Sequence, residues 1–251
     1  MNKIALITGG SRGLGKNSAL RLAEKGNDII ITYITKEKEA HQVVSEIEAM
    51  GKKAVAIKLD VGDLKSFDGF LGEVSKTLKK KFNSEKFDFL INNAGFGSTI
   101  LFMNAKEEDF DKFMNVHLKG VFFLTQKCLS MINDNGSIVN FSSGTTRFAN
   151  PGYIIYAAMK GAIEVFTKYL AKEVGPRGIT ANVVAPGGIE TDFNNGIIRN
   201  NPQVKERIAS ITPLGRTGKA EDIGGVVAFL CSEDAHWISG QRIEVSGGIN
   251  L

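Results

Sequence analysis

Cysteine is nearly absent. Cys128 and Cys231 are the only two in 251 residues, and their separation excludes a disulfide framework or a cysteine-based zinc site; two buried thiols are expected instead. The three histidines, His41, His117 and His236, share no ligand spacing, so no metal is expected. Only five prolines occur, no Pro/Gly/Ser-rich linker interrupts the chain and no internal repeat is visible, so residues 1–251 read as one domain. No apolar run nears the roughly 18 residues of a membrane span, and Met1 leads into a strand-like segment rather than a cleavable signal. The net charge is only +4, from 31 basic and 27 acidic residues, too weak a field to argue for nucleic acid or a membrane surface. The expectation is a cytoplasmic protein whose ligands are small molecules.

What the chain does have is rhythm. Short runs at 3–8, 28–33, 54–59, 87–91, 137–141, 180–185 and 242–245 read as strands, most of them apolar almost throughout, as strands buried on both faces are. Between them the apolar residues recur at helical spacing, as at Ala19, Leu20, Leu22 and Ala23, or at Ile163, Phe166, Thr167 and Leu170. Strand–helix alternation of this kind predicts an α/β fold: a doubly wound parallel sheet of seven strands with helices on both faces. The stretch 189–212, rich in Asn194, Asn195, Asn200 and Asn201, breaks the rhythm just after the sixth strand, where a substrate-binding lid would sit. The cluster Lys76, Lys79, Lys80, Lys81 and Lys86 reads as a solvated helix end.

The first strand runs into Thr8-Gly9-Gly10-Ser11-Arg12-Gly13-Leu14-Gly15 and then into an amphipathic helix. Residues without Cβ allow a tight turn and a close backbone approach to a pyrophosphate, whose charge suits a helix amino terminus; a Rossmann-type dinucleotide site is therefore predicted. The same glycines could serve a purely structural turn. Downstream, Tyr156 and Lys160 stand four apart on a helical segment, so phenol and ammonium share one face. A cation there favours the phenolate and is expected to lower the tyrosine pKa toward neutrality. An ordinary surface pair is the alternative.

With its glycines spaced G-x-x-x-G-x-G, the chain resembles the short-chain dehydrogenase/reductase family. Asp60-Val61, Asn92-Asn93-Ala94-Gly95, Tyr156 with Lys160, Pro186-Gly187 and the terminal Val245-Ser246-Gly247-Gly248 follow in the family's order, so the resemblance spans the chain. It implies a hydride-transferring oxidoreductase. Gly9, Ser11, Arg12, Gly13, Leu14 and Gly15 would hold the pyrophosphate, Asp60 and Val61 the adenine, and Asn93, Ala94 and Gly95 would line the cofactor. Pro186, Gly187, Ile189 and Thr191 would meet the carboxamide and phosphates. The resemblance makes Tyr156 the general acid, Lys160 its partner and a ribose ligand, and Ser143, 13 residues before Tyr156, the substrate-orienting serine in preference to Ser142. Asn115 would complete the set by holding a water through its backbone.

An NAD-specific site needs an acid about 20 residues beyond the glycine loop. Tyr33 stands there, with Asp28 at the wrong end of the strand and Glu37 beyond the turn; Arg12 and Lys36 are placed for a 2′-phosphate, so the cofactor expected is NADP(H). Asn150-Pro151-Gly152, Arg177-Gly178-Ile179-Thr180 and Pro213-Leu214-Gly215-Arg216 are similar to bacterial 3-oxoacyl-carrier-protein reductases. Tyr153 and Ile155, and a turn at 132–135 without basic residues, depart from that group. The substrate is accordingly a small carbonyl compound, with an acyl-carrier-bound thioester, a sugar or a polyketide-type ketone as candidates. A dinucleotide-binding protein without turnover is the reading from another class, and the intact Ser143, Tyr156 and Lys160 argue against it. Apolar Phe110, Phe113, Phe122, Phe123, Leu124, Phe166, Tyr169 and Leu170, together with 241–251, resemble the surfaces that pair in the family's homotetramers.

Overall fold

Strands apolar on both faces need a helical layer on each side, and the chain supplies two. The computed structural model describes residues 2–251. In chain order its elements are β1 (Ile4–Ile7), α1 (Gly13–Glu24), β2 (Asp28–Tyr33), α2 (Glu37–Ala49), β3 (Ala54–Lys58), α3 (Phe67–Thr77), β4 (Phe87–Asn92), α4 (Glu107–Met114), α5 (Gly120–Cys128) and β5 (Ile132–Phe141). Then come α6 (Ile154–Val174), β6 (Thr180–Pro186), α7 (Ile197–Asn200), α8 (Pro202–Ser210), α9 (Glu221–Leu230) and β7 (Arg242–Val245). Among the described residues the strands form one parallel sheet in the order β3-β2-β1-β4-β5-β6-β7. The winding direction reverses between β1 and β4, where open α/β sheets part at their carboxyl ends to leave a crevice.

Leu22 of α1, Val43 and Ile47 of α2, and Ile223 and Val227 of α9 cover one face. Phe67 and Val74 of α3, Leu124 and Cys128 of α5, and Leu170 and Val174 of α6 cover the other. Each such side chain contributes about 1.5–3 kcal/mol by leaving water. Both thiols are buried and unpaired, one in each layer, and burial pushes the Cys128 thiol up to about 12. Of the lysine cluster, Lys81 is more than solvated: its ammonium donates to Glu48 and to the Ala54 carbonyl, pinning the end of α3 to β3. Among the described residues no helix is long and apolar enough to cross a membrane.

The sharpest departure from the sequence reading is at β5. Its pairing with β4 begins at Ile132, opposite Phe87, and resumes only at Ser137, opposite Phe89, so 133–136 bulge out against Asp88. The stretch at 132–135, expected as a turn outside the sheet, is part of the strand. Asn135 takes φ +62, Asp88 accepts from the Asn133 amide group at 3.0 Å, and Arg177 donates to Asp134 and to the carbonyls of Leu129 and Ile132. Arg177, singled out as part of a family motif, thus staples this bulge.

A buried polar column stands behind the crevice. The Asn92 amide group donates to Thr125 at 2.9 Å and to Asn140 at 2.8 Å, and Asn140 donates to Thr167 at 2.9 Å. Because a buried donor left unpaired costs about 1–3 kcal/mol, these side chains tie α5 and α6 to the ends of β4 and β5 in one register.

Candidate active site

The carboxyl ends of β1, β4, β5 and β6 open into a cavity of about 1260 Å³, large enough for a dinucleotide and a small second ligand. Its floor lies where β1 and β4 part beyond their last paired residues. The Thr8 hydroxyl accepts from the amides of Asn93 and Ala94, both at 3.0 Å, while the Asn93 side chain donates to the carbonyls of Thr8 (2.8 Å) and Gly9 (3.1 Å). Gly9 and Gly13 adopt φ of +66 and +56. A Cβ on Gly15 would lie 2.3 Å from the Gly9 carbonyl oxygen, so the loop can wrap the start of α1 only with glycine there. The first turn of α1 holds no acid, and Arg12 at the N-cap makes no capping bond, which leaves the helix amides and dipole for an anion. The glycine loop therefore fits a pyrophosphate.

At the far end stand Asp60, Val61, Tyr33, Lys36 and Arg12. The Tyr33 hydroxyl donates to Glu37 at 3.1 Å, and Glu37 lies outside the cavity lining. Neither can serve as the ribose-binding acid of an NAD site. Arg12 reaches across to Asp192 at 3.1 Å, and Lys36 pairs with Glu39 at 3.2 Å; both cations stand over half or nearly half exposed at the cavity wall.

The chemistry-bearing end is assembled by β5 and α6. Ser143, two residues beyond β5, starts a short turn, its oxygen accepting from the Thr145 amide at 3.2 Å, whereas Ser142 donates to Glu164 at 2.6 Å. Tyr156 and Lys160 are not a surface pair: they are 8% and 4% exposed. The Lys160 ammonium donates to the Phe141 carbonyl at 2.7 Å and lies 5.6 Å from the centre of the Tyr156 ring. Burial drives the Lys160 amine down to about 7. Burial also pushes the Tyr156 phenol up, the adjacent Ser143 hydroxyl drawing it only part of the way back. The expected depression by Lys160 is thus reversed, because desolvation is the largest influence on the phenol and the ammonium is bonded to the Phe141 carbonyl. Tyr156 stays protonated through neutrality, the form a proton donor needs.

Pro186, Gly187, Ile189 and Thr191 line the cavity opposite, with Ile189 bridged to Gly218 and Thr191 lying against Gly13. Asn93, Ala94 and Gly95 line it between the two ends, as do Ser11, Gly13, Leu14 and Asn115. Asn115 stands in a wide π-helical turn, Asn115–Lys119, where its carbonyl accepts from the Gly120 amide and keeps a second lone pair with which a water could be held. The turn lets Gly120 pack where a Cβ would lie 2.1 Å from the Val61 carbonyl oxygen. It is His117 that meets Tyr156, their rings perpendicular and 5.2 Å apart. Reading the histidines only for metal spacing missed it; its setting four residues after Phe113, between Val116 and Leu118, was the available signal of an inward-facing ring. Phe193, 5.6 Å from Tyr156, and Tyr153, whose hydroxyl accepts from Asn194 at 2.7 Å, were also missed as wall residues.

Over residues 9–250 the chain matches the family described as enoyl-(acyl carrier protein) reductase. A 3-oxoacyl-[acyl-carrier-protein] reductase of Staphylococcus aureus (strain Mu50) is 39% identical across 100% of this chain and 99% of its own. A hydroxynaphthalene reductase-like protein of Metarhizium brunneum is 35% identical, covering 98% of this chain and 94% of its own. Among solved structures, an angucycline C-6 ketoreductase with bound NADP superposes with a TM-score of 0.94 at 36% identity, over 99% of this chain and 96% of that one.

The sunken amine has a measurable cost. Lowering its pKa from 10.5 to about 7 corresponds to about 5 kcal/mol of charge burial, offset by about 1–3 kcal/mol if the Phe141 carbonyl loses its donor. Unfolded lysine keeps its proton up to its ordinary pKa while the folded one sheds it near 7, so the unfolded state binds more protons between those values and wild-type stability rises with pH there. Lys160→Met should therefore be more stable than wild type at pH 6 by about 2 kcal/mol, and the gain should vanish as pH rises from 7 to 10.5. Urea midpoints across that range check it; a gain independent of pH would refute the burial cost.

Proposed function

The chain belongs to the short-chain dehydrogenase/reductase family, and from that premise we propose that it is an NADP(H)-dependent oxidoreductase that reduces a ketone to a secondary alcohol. The observation that carries this reading is one cavity with an anion-binding glycine loop and Arg12 at one end and Ser143, Tyr156 and Lys160 at the other. A bound reduced nicotinamide supplies the hydride. Tyr156 delivers its proton to the carbonyl oxygen as negative charge develops there. Ser143, whose oxygen accepts from Thr145 and whose hydroxyl lies beside the Tyr156 phenol, can turn its hydrogen to hold that same oxygen. Lys160, with a pKa of about 7, stabilises the phenolate left behind and returns a proton to it. Asn115, placed at the wall, belongs to this set only through its backbone position.

For the cofactor, Gly9, Ser11, Gly13, Leu14 and Gly15 would hold the pyrophosphate, and Arg12 and Lys36 the 2′-phosphate that NADP(H) carries. Asp60 and Val61 would meet the adenine, and Asn93, Ala94, Gly95, Pro186, Gly187, Ile189 and Thr191 the rest. Residues 189–212 act as the lid of a single domain spanning 1–251. Asn194 donates to Tyr153 and to Thr99 across the mouth, and Asp192 ties the lid to Arg12.

Relatives named for 3-oxoacyl-carrier-protein reduction make a thioester one candidate substrate. The walls favour a second reading: Phe96, Phe148, Tyr153 and Phe193 line the substrate end, which suits a broad or aromatic ketone. Arg177, the nearest cation to the β5 bulge, is committed to Asp134 and two carbonyls rather than free for an acidic carrier protein. Two unpaired thiols suit a reducing cytoplasm. Tyr169 is 70% exposed, Phe122 beside Phe166 is 40%, and Trp237 and Leu251 are bare, which supports pairing of these faces in a homotetramer.

A panel of 3-oxoacyl thioesters and aromatic ketones, followed by NADPH oxidation, tests the assignment; no turnover of any ketone would overturn it. Tyr156→Phe should lose at least about 100-fold in kcat with cofactor affinity nearly unchanged, since only the transferable proton is removed. Arg12→Ala should raise the KM for NADPH about tenfold and leave that for NADH almost unmoved, and a wild-type preference for NADH would defeat the phosphate assignment. Light scattering at micromolar protein should give four chain masses; a single chain mass would contradict the tetramer.

A further inference from the structure

We infer that the His117 side chain is a positioning residue, an uncharged anchor that fastens the cofactor-lining segment at Gly95 and Phe96 to α6 and holds the Tyr156 ring in its working orientation. The inference rests on the carbonyl-reductase reading of the cavity. His117 sits in the wide turn between α4 and α5, is 1% exposed and borders the cavity. Its ring stacks on Phe113 at 5.5 Å, leans on Phe96 at 5.1 Å and meets Tyr156 edge-on at 5.2 Å, so it is wedged between three aromatic rings from α4, the β4–α4 segment and α6.

One nitrogen has a partner. Nε2 accepts the Phe96 backbone amide, at the long limit of 3.5 Å. An imidazole that accepts at Nε2 while neutral carries its proton on Nδ1. Nδ1 is buried without a protein partner and faces Gly95, where a Cβ would lie 3.2 Å from it and 2.8 Å from Cε1. Gly95 is thus the residue that admits the ring. The groups around the imidazole keep it neutral. Lys160 and protonated Tyr156 approach from α6; Lys112 of α4 lies over the Phe96 ring, 5.1 Å from its centre. Burial and the Lys160 charge both hold the imidazole well below the usual histidine range. A charged ring would surrender the acceptor that Phe96 uses and place a second cation beside Lys160.

Two amide side chains separate the atoms. Glutamine can place an acceptor where Nε2 lies, and asparagine reaches only as far as Nδ1; leucine fills the space with neither. Hydrogen exchange at the Phe96 amide should be slow in wild type and His117→Gln and at least tenfold faster in His117→Asn and His117→Leu. This readout needs no turnover, so it stands even if no ketone in the panel is reduced, a result that would count against the function and not the anchor. With a turned-over ketone, His117→Leu should lose at least tenfold in kcat and bind NADPH several-fold more weakly, and His117→Gln should recover to within about threefold. The acid limb of kcat against pH should lie at the same place in wild type and His117→Gln. Asparagine rescuing as well as glutamine, unchanged exchange in the leucine variant, or an acid limb that disappears in the glutamine variant would each overturn the anchor. If the leucine chain fails to fold, the glutamine and asparagine pair still decides it, with melting midpoints as the control.

Discussion

Everything else in the molecule depends on how β1 and β4 separate. Adjacent parallel strands would ordinarily continue their ladder until one turns away; here Thr8 and Asn93 take over from it, side chain to backbone in both directions. That exchange fixes the Gly9 carbonyl, against which Gly15 packs, and so sets where α1 begins and which way its dipole points. A crevice between strands is generic to the fold. A crevice floored by satisfied polar groups, with a helix amino end aimed into it, is a binding site.

Behind that floor, polar residues do what a purely apolar core could not. The column from Thr125 through Asn92 and Asn140 to Thr167 is joined by three side-chain hydrogen bonds, with the Asn92 amide oxygen left over, and sliding α6 along β5 by a turn would break it. A second, ionic group works from the side of β7. Arg242 donates to Glu164 and to the Ser143 carbonyl, and Arg147 grips Glu244 together with the carbonyls of Ile249 and Asn250. Glu244 is held low chiefly by Arg147, at about 2, so its carboxylate stays charged through mild acid. Arg242 braces the serine turn through the Ser143 carbonyl and the Thr146 hydroxyl.

The sheet was legible because short strand runs alternate with helical periodicity: 28–33, buried throughout, and 242–245, the half-buried edge strand, were placed to the residue. β5 was misjudged at its start because Asn133, Asp134 and Asn135 carry turn chemistry and lie in a bulge, where such chemistry is compatible with a strand. The spacing of Tyr156 and Lys160 revealed their shared face and not their burial, and the sign of the tyrosine shift followed burial. Tyr33 was read as a residue that is not an acid; that it also occupies Glu37, the acid best placed to substitute, is a three-dimensional fact. His117 escaped because a lone histidine in an apolar helix carries no periodic signal beyond its neighbours, and its importance comes from Gly95 and Tyr156, distant in sequence.

Asp192 accepts from two arginines, Arg12 of the glycine loop and Arg199 of α7. A carboxylate shared in this way is insured: if an anion in the cavity draws Arg12 off, Arg199 still neutralises it, and no charge is stranded. One carboxylate at the start of the lid is therefore shared between the glycine loop and α7, so the charge balance at the phosphate end and the seating of the lid are set by the same side chain.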